Sequence, residues 1–260
     1  MFMEKFIVKK KFGQNFLKND LIIEKIVNSI EVNHDDLIIE VGPGKGALTK
    51  KLVKKGCKVI AFEIDKDTYP YLKDLENDNF SLIYDDFLNI DVNSYLSDYQ
   101  YHDLYIVANL PYYITTPIIT KIIDDKLCPK AMILMVQKEV ADRFSAKPGS
   151  KDYGYFTVKL NYYFAVEKLF NVKKTEFNPV PKVDSAVVSF KIKDYDKNLA
   201  KKFDNFIKDA FKMKRKTLKN NLGSDLFNKV LPILMEAGFG SDVRAEQIDL
   251  ETFIKMVKET

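Results

Sequence analysis

The chain has 260 residues, 46% hydrophobic and 30% charged with a net charge of +4, which suits a globular protein of one large domain plus an appendage. Its longest apolar run, residues 131–136, is too short to span a bilayer, and residues 6–8 make no secretory leader, so neither membrane insertion nor export is expected. Cys57 and Cys128 give no disulfide framework and fit a reducing cytoplasm; His34 and His102 lack partners at ligand spacing, so no metal is expected.

The charge is unevenly spread. Residues 1–18 carry five lysines against Glu4, and residues 196–222 carry eight lysines and Arg215 against three aspartates. Residues 60–104 carry eleven acids against Lys66 and Lys73. Any one lysine is adequately explained as a solvated face, but basic ends around an acidic middle suit a polyanion held outside and a cation inside.

The opening Lys9-Lys10-Lys11-Phe12-Gly13-Gln14-Asn15-Phe16-Leu17 is basic, aromatic and amide-rich. Phe12, Phe16 and Leu17 are costly to leave in water, which favours a segment docked over a site rather than a frayed tail. A helix follows, capped by Asn19 or Asp20, with Ile22, Ile23, Ile26, Val27 and Ile30 at helical spacing. Strand 37–41 then enters the turn Gly42-Pro43-Gly44-Lys45-Gly46-Ala47, a helical stretch reaches Lys55, and strand 58–62 ends in Glu63-Ile64-Asp65. This is a βαβ opening with a glycine turn and an acid about twenty positions on, the pattern of an adenosine-containing cofactor. Glu63, at a strand end, can accept from both hydroxyls of a ribose.

The alternation continues through a helix over 66–76 and strand 80–84, which leads into Asp85-Asp86-Phe87. Asp86 can accept from an adenine amino group. Strand 104–108 ends in Asn109-Leu110-Pro111-Tyr112-Tyr113, which offers an amide, a bare carbonyl and an aromatic plane at one rim. Those parts can grip a planar amine, yet the pentapeptide alone is equally well an ordinary strand exit. Four successive strand ends bearing polar signals favour the ligand crevice of an open α/β sheet. A helix starting at Thr115-Thr116-Pro117 with Pro at its first position, strand 131–136, an exposed basic loop over 146–151 and a helix over 153–163 come next. Strands 164–172 and 185–193 flank a Pro-rich loop that holds Phe177 toward the crevice. From about residue 196 the pattern is wholly helical, placing domains at 1–195 and 196–260.

Together these stretches resemble the ribosomal RNA adenine N6-dimethyltransferases, in their small-subunit branch. The likeness runs in order through residues 12–17, 40–48, 63–65, Asp86, 109–117, 137–143, 151–154, 177–188 and 215–222. Asp85 stands where the family usually has Gly, and Tyr113 where Asn is frequent. The large-subunit branch, which confers macrolide resistance, shares the chemistry, but the segments at 137–143, 151–154 and 215–222 fit the small-subunit branch better. An idle assembly factor on the same fold does not explain intact Glu63, Asp86 and Asn109, and a nicotinamide-dependent oxidoreductase does not explain residues 109–112.

The resemblance implies a Rossmann-like fold using S-adenosylmethionine. It implies that Asn15 and Leu17 line the cofactor entrance, Gly42 and Gly44 turn beside the methionine part, Glu63 takes the ribose and Asp86 the adenine amino group. Asn109 then sits where cofactor and target meet. The implied target is a pair of adjacent adenines in a hairpin loop near the 3′ end of small-subunit ribosomal RNA, on an immature subunit, with the enzyme a cytoplasmic monomer. The expected mechanism has Asn109 and the Leu110 carbonyl accepting the N–H bonds of the target amine while Tyr112 and Phe177 stack its ring. RNA contact is expected from Lys9, Lys10, Lys11, Lys147, Lys151, Lys212, Lys214, Arg215, Lys216 and Lys219.

Overall fold

The computed structural model describes Lys9 and residues 13–260. In chain order the strands are β1 (Phe16–Leu17), β2 (Leu37–Val41), β3 (Lys58–Phe62), β4 (Phe80–Ile83), β5 (Leu104–Asn109), β6 (Ala131–Gln137), β7 (Phe164–Val172), β8 (Phe177–Asn178) and β9 (Ser185–Ile192). The helices are α1 (Asp20–Val27), α2 (Thr49–Leu52), α3 (Tyr69–Leu72), α4 (Val92–Leu96), α5 (Thr115–Asp124), α6 (Lys138–Phe144), α7 (Tyr155–Tyr163), α8 (Ala200–Ala210), α9 (Leu218–Leu222), α10 (Ser224–Glu236) and α11 (Leu250–Lys258).

Seven strands form one sheet in the order β4-β3-β2-β5-β6-β9-β7, and β1 pairs with β8 in a separate two-stranded ladder. The pairings from β4 through β6 are parallel, and β9 runs antiparallel to β6. Ile38, Val59, Tyr105, Ile133 and Val187 share one apolar cluster with Ile23 and Ile26 of α1 and Leu52 of α2. The alternate residues Leu37, Ile39, Ile60, Ile106 and Met132 are equally buried. A sheet covered on both faces requires apolar side chains at both parities, which is why these strands read as continuous apolar runs. The strand order reverses between β2 and β5. That switch point puts the end of β2 and the end of β5 on either side of one crevice.

Local chemistry sets the element ends. Asn19 caps α1, its side chain accepting from the Leu21 and Ile22 N–H groups. Helix α5 begins at Thr115, so Pro117 is its third residue rather than its first. The missing N–H costs nothing there, since the first-turn N–H groups have no acceptor within the helix. The helix expected over 66–76 is broken into a 3₁₀ turn, the short α3 containing Pro70, and a second 3₁₀ turn.

Contacts divide the chain differently from a single cut near 195. One unit runs through Ala141 and takes up again at Glu167–Ile192; the other joins Asp142–Val166 to Lys193–Thr260. Within the second unit the Tyr162 ring stacks on Phe203 at 4.1 Å, its hydroxyl donates to the Asp196 carbonyl at 2.7 Å, and the Tyr153 hydroxyl donates to the Ile248 carbonyl at 2.9 Å. Buried Lys159 pairs with Asp204 at 3.4 Å. Helix α7 thus finds its partners well beyond its own neighbourhood in the chain.

The region from 196 is also not wholly helical. Residues 211–216 form a turn between α8 and α9. The Asn221 amide holds that turn, donating to the Ala210 carbonyl at 2.7 Å and the Met213 carbonyl at 3.3 Å and accepting the Met213 N–H at 3.1 Å. Among the described residues, no helix is long and apolar enough to cross a membrane.

Candidate active site

A cavity of about 310 Å³ opens at the carboxyl ends of β2, β3 and β5. It is lined by residues 13–17, the turn after β2, Glu63 and Ile64, residues 85–88, and residues 109–114. Asn15, Leu17, Gly42, Gly44, Glu63, Asp86, Asn109, Leu110 and Tyr112, all singled out from sequence, are therefore brought to one place.

The turn after β2 needs its glycines for two separate reasons. Gly42 has φ of +71° and donates to the Phe62 carbonyl at 2.9 Å; a Cβ there meets nothing, so the constraint is the left-handed backbone itself. At Gly44, φ is +57° and a Cβ would fall 2.9 Å from the Phe16 ring. Its N–H donates to Glu63 Oε2 at 2.9 Å, while the Asp65 N–H donates to Oε1 at 2.8 Å. Burial pushes the Glu63 carboxyl up, and these two donors oppose that shift. Each oxygen retains a lone pair for a ribose hydroxyl. Asp86 is likewise fixed, Oδ1 accepting the Leu88 N–H at 3.0 Å and Oδ2 the Asn89 amide at 2.8 Å.

At the end of β5 the Asn109 Nδ2 donates to the Asn15 backbone carbonyl at 3.0 Å. With the nitrogen committed, Oδ1 is the end of the amide left to accept from a ligand. The Leu110 N–H donates to the Met135 carbonyl at 3.2 Å, anchoring the backbone that carries the Leu110 carbonyl. Tyr112 shares a hydrogen bond with Ser185 at 2.8 Å between the two hydroxyls, which fixes its ring at the cavity wall.

Three expectations are corrected. Phe177 is not a stacking face here: its ring is 1% exposed within the apolar cluster, because β8 pairs with β1 and places Phe177 opposite Leu17. Lys9 points to acids rather than outward, its ammonium 2.6 Å from both Asp65 and Asp67. His102 is not isolated, lying 3.1 Å from Asp103 and 3.9 Å from Asp36. Those carboxylates already have partners: Asp36 accepts the Asn33 and Asp103 N–H groups, and Asp103 holds the Lys130 ammonium at 2.6 Å. They sit at the amino ends of β2 and β5, away from the crevice. Of the basic residues, Lys147, Lys151, Lys212, Lys214, Arg215, Lys216 and Lys219 are exposed; Lys10 and Lys11 lie outside the described residues.

Sequence reasoning passed over Glu40. It is 1% exposed, lines the cavity, and has no hydrogen-bond partner for Oε2. Burial pushes its carboxyl up to about 8, with neighbouring Thr49 opposing the rise and the Glu63 charge adding to it. The signal was an acid inside the otherwise apolar strand Leu37-Ile38-Ile39-Glu40-Val41. A lining with acids at the ends of β3 and β4, a buried carboxyl oxygen within β2 and a glycine cradle fits a cationic ligand that carries a ribose and an exocyclic amine.

Comparison with known proteins agrees with this geometry. The family model for ribosomal RNA adenine dimethylase matches residues 5–260. The chain is 41% identical to the ribosomal RNA small subunit methyltransferase A of Clostridium acetobutylicum, over 98% of this chain and 94% of that protein. It superposes on a dimethyladenosine transferase from Plasmodium falciparum with a TM-score of 0.74 and 26% identity, covering 92% of this chain and 95% of the other. It shares its fold with the 23S rRNA methyltransferase ErmE at a TM-score of 0.72 and 23% identity, covering 94% and 99%. A family match over nearly the whole length makes this chain a member of the ribosomal RNA adenine dimethylase family.

Proposed function

We propose that this chain transfers methyl groups from S-adenosylmethionine to the N6 amines of two adjacent adenines in a hairpin loop near the 3′ end of small-subunit ribosomal RNA, acting during subunit assembly as a cytoplasmic monomer. Family membership and the 41% identical small-subunit relative support the substrate class. Glu63 would hold the ribose, Asp86 the adenine amine, and the turn at Gly42 and Gly44 the methionine part. When bound, the cofactor supplies an electrophilic methyl on a sulfonium.

The remaining chemistry belongs to the chain's own residues. An adenine amine is a poor nucleophile because its lone pair is delocalised into the ring. Asn109 Oδ1 and the Leu110 carbonyl accept its N–H bonds, two in the first transfer and the one that remains in the second, which favours a pyramidal nitrogen and aims its lone pair. Catalysis is then orientation and fixed dipoles: the N–C bond would form as the S–C bond breaks to leave a neutral thioether, and the alkylated nitrogen, now acidic, would lose its proton to water, so no strong base is needed. Tyr112 offers the stacking face for a base taken out of its stack. With Phe177 buried, the second face must come from elsewhere; Tyr113, 58% exposed at the cavity rim, is placed for it. The exposed basic turn at 212–216, with Lys219, Lys147 and Lys151, would bind phosphates.

The observation that carries this reading is the Asn109 amide, its nitrogen tied to Asn15 and its oxygen left for a donor. Incubating the purified chain with methyl-labelled cofactor and small-subunit RNA, then identifying the modified nucleoside, tests it. Label in N6,N6-dimethyladenosine is expected; label in any other nucleoside, or none, would overturn it.

A further inference from the structure

We propose that Asp65 is a positioning residue for methyl transfer: it clasps Lys9 and Gln14 beside the cofactor cavity and so sets the Asn109 amide. The inference rests on reading this cavity as the site of cofactor and target amine. Asp65 is 1% exposed and takes part in none of the binding roles above. Its Oδ1 accepts the Lys9 ammonium at 2.6 Å and its Oδ2 the Gln14 amide at 2.6 Å. The Lys9 N–H donates in turn to Gln14 Oε1 at 2.9 Å, so Lys9 and Gln14 close together on one carboxylate. Charge-assisted bonds of this kind to a buried acceptor are the strong ones, and removing one partner strands the other.

Two further contacts give the clasp a consequence. The Asp65 N–H donates to Glu63 Oε1 at 2.8 Å, joining it to the ribose carboxylate. Residues 13–17 of the clasped segment line the cavity, and the Asn15 carbonyl within them accepts Asn109 Nδ2 at 3.0 Å. Phe16 lies against Gly44, with the Lys45 ammonium 4.9 Å from its ring centre. Residues 13–17 of the cavity wall are therefore held at two points, Gln14 by Asp65 and Asn15 by the amide that accepts the target amine. Opening the clasp frees the ligand and releases the Asn109 orientation together.

Asp65 also caps the turn at Asp67, its Oδ1 accepting the Asp67 N–H at 3.2 Å. Asparagine caps as well as aspartate, so Asp65→Asn keeps that role and removes the ion pair. Lys9→Met opens the clasp from the other side at a partly exposed position and leaves the cap untouched. The experiment measures S-adenosylhomocysteine dissociation, kcat and KM in wild type, both single variants and the double variant. Each single variant should release the product about tenfold faster and lose kcat severalfold. The double variant should be no worse than Asp65→Asn alone, and Lys9→Met should still unfold in one cooperative transition well above the assay temperature. Wild-type release and kcat in Lys9→Met, or additive losses in the double variant, would overturn the inference. A wild-type protein that binds no S-adenosylhomocysteine removes the reading of the site and this inference with it. Normal binding and transfer by wild type, matched by both variants, removes the inference alone.

Discussion

Asn109 works by giving its two amide ends different jobs, one tied to the Asn15 carbonyl and the other presented to a ligand. Replacing it with Ala should lower turnover by about 10²- to 10³-fold, as removal of a fixed dipole at the reacting centre does. Cofactor affinity should change severalfold at most, about one neutral hydrogen bond, which calorimetry with S-adenosylhomocysteine will read. Glu40 makes a prediction of the opposite kind. Its folded pKa, about 8, lies above the unfolded carboxylate value, so the folded protein holds a proton that the unfolded chain releases. Ligand-free stability therefore falls as pH rises from about 4.5 toward 8. Glu40→Gln should flatten that decline and melt higher than wild type at pH 8, in thermal scans across the range. A variant that melts lower at every pH would contradict it. The residues legible in advance were those at strand ends, where a polar side chain closing an apolar run faces either solvent or a ligand. Glu40 was hidden because its burial depends on the neighbouring strands. Phe177 and Lys9 were misread for the same reason: a two-residue ladder and two aspartates far along the chain decide where they point.

The turn between α8 and α9 shows how an element can be missed by periodicity. The basic and apolar residues from 212 to 216 look helical in composition, yet Asn221 folds them into an exposed turn in which Arg215 has φ of +69°. Such a turn presents charges without burying them, the form a phosphate-binding surface requires. Lys214→Glu with Lys216→Glu should weaken RNA binding and lower the slope of log affinity against log salt by about 0.7 to 0.9 for each phosphate no longer neutralised. Folding stability should hold, since both side chains are exposed. Asn221→Ala should cost about 1–2 kcal/mol in denaturant unfolding, because it strips an acceptor and a donor from the turn at once. An unchanged salt slope in the charge-reversal pair would remove this element from the RNA surface.

At the scale of the molecule, the alternation of strand and helix through residue 136 was readable because parallel βαβ units repeat one pattern and their order follows from connection rules. The division into units was not. Residues 142–166 carry ordinary helical and loop signals, and it is tertiary contacts such as Tyr162 on Phe203, Lys159 with Asp204 and the Tyr153–Ile248 bond that assign them to the later part of the chain. Fold likeness alone does not settle the target, since a dimethyladenosine transferase and a 23S rRNA methyltransferase superpose about equally well. Substrate choice must therefore be read from the reaction itself. The direct measurement offers immature small subunits and large-subunit RNA side by side with labelled cofactor, and maps the modified nucleotides. Two neighbouring dimethylated adenines near the 3′ end of the small-subunit RNA are predicted, and none in the large. Label confined to the large-subunit RNA, or no label in either, would contradict that assignment.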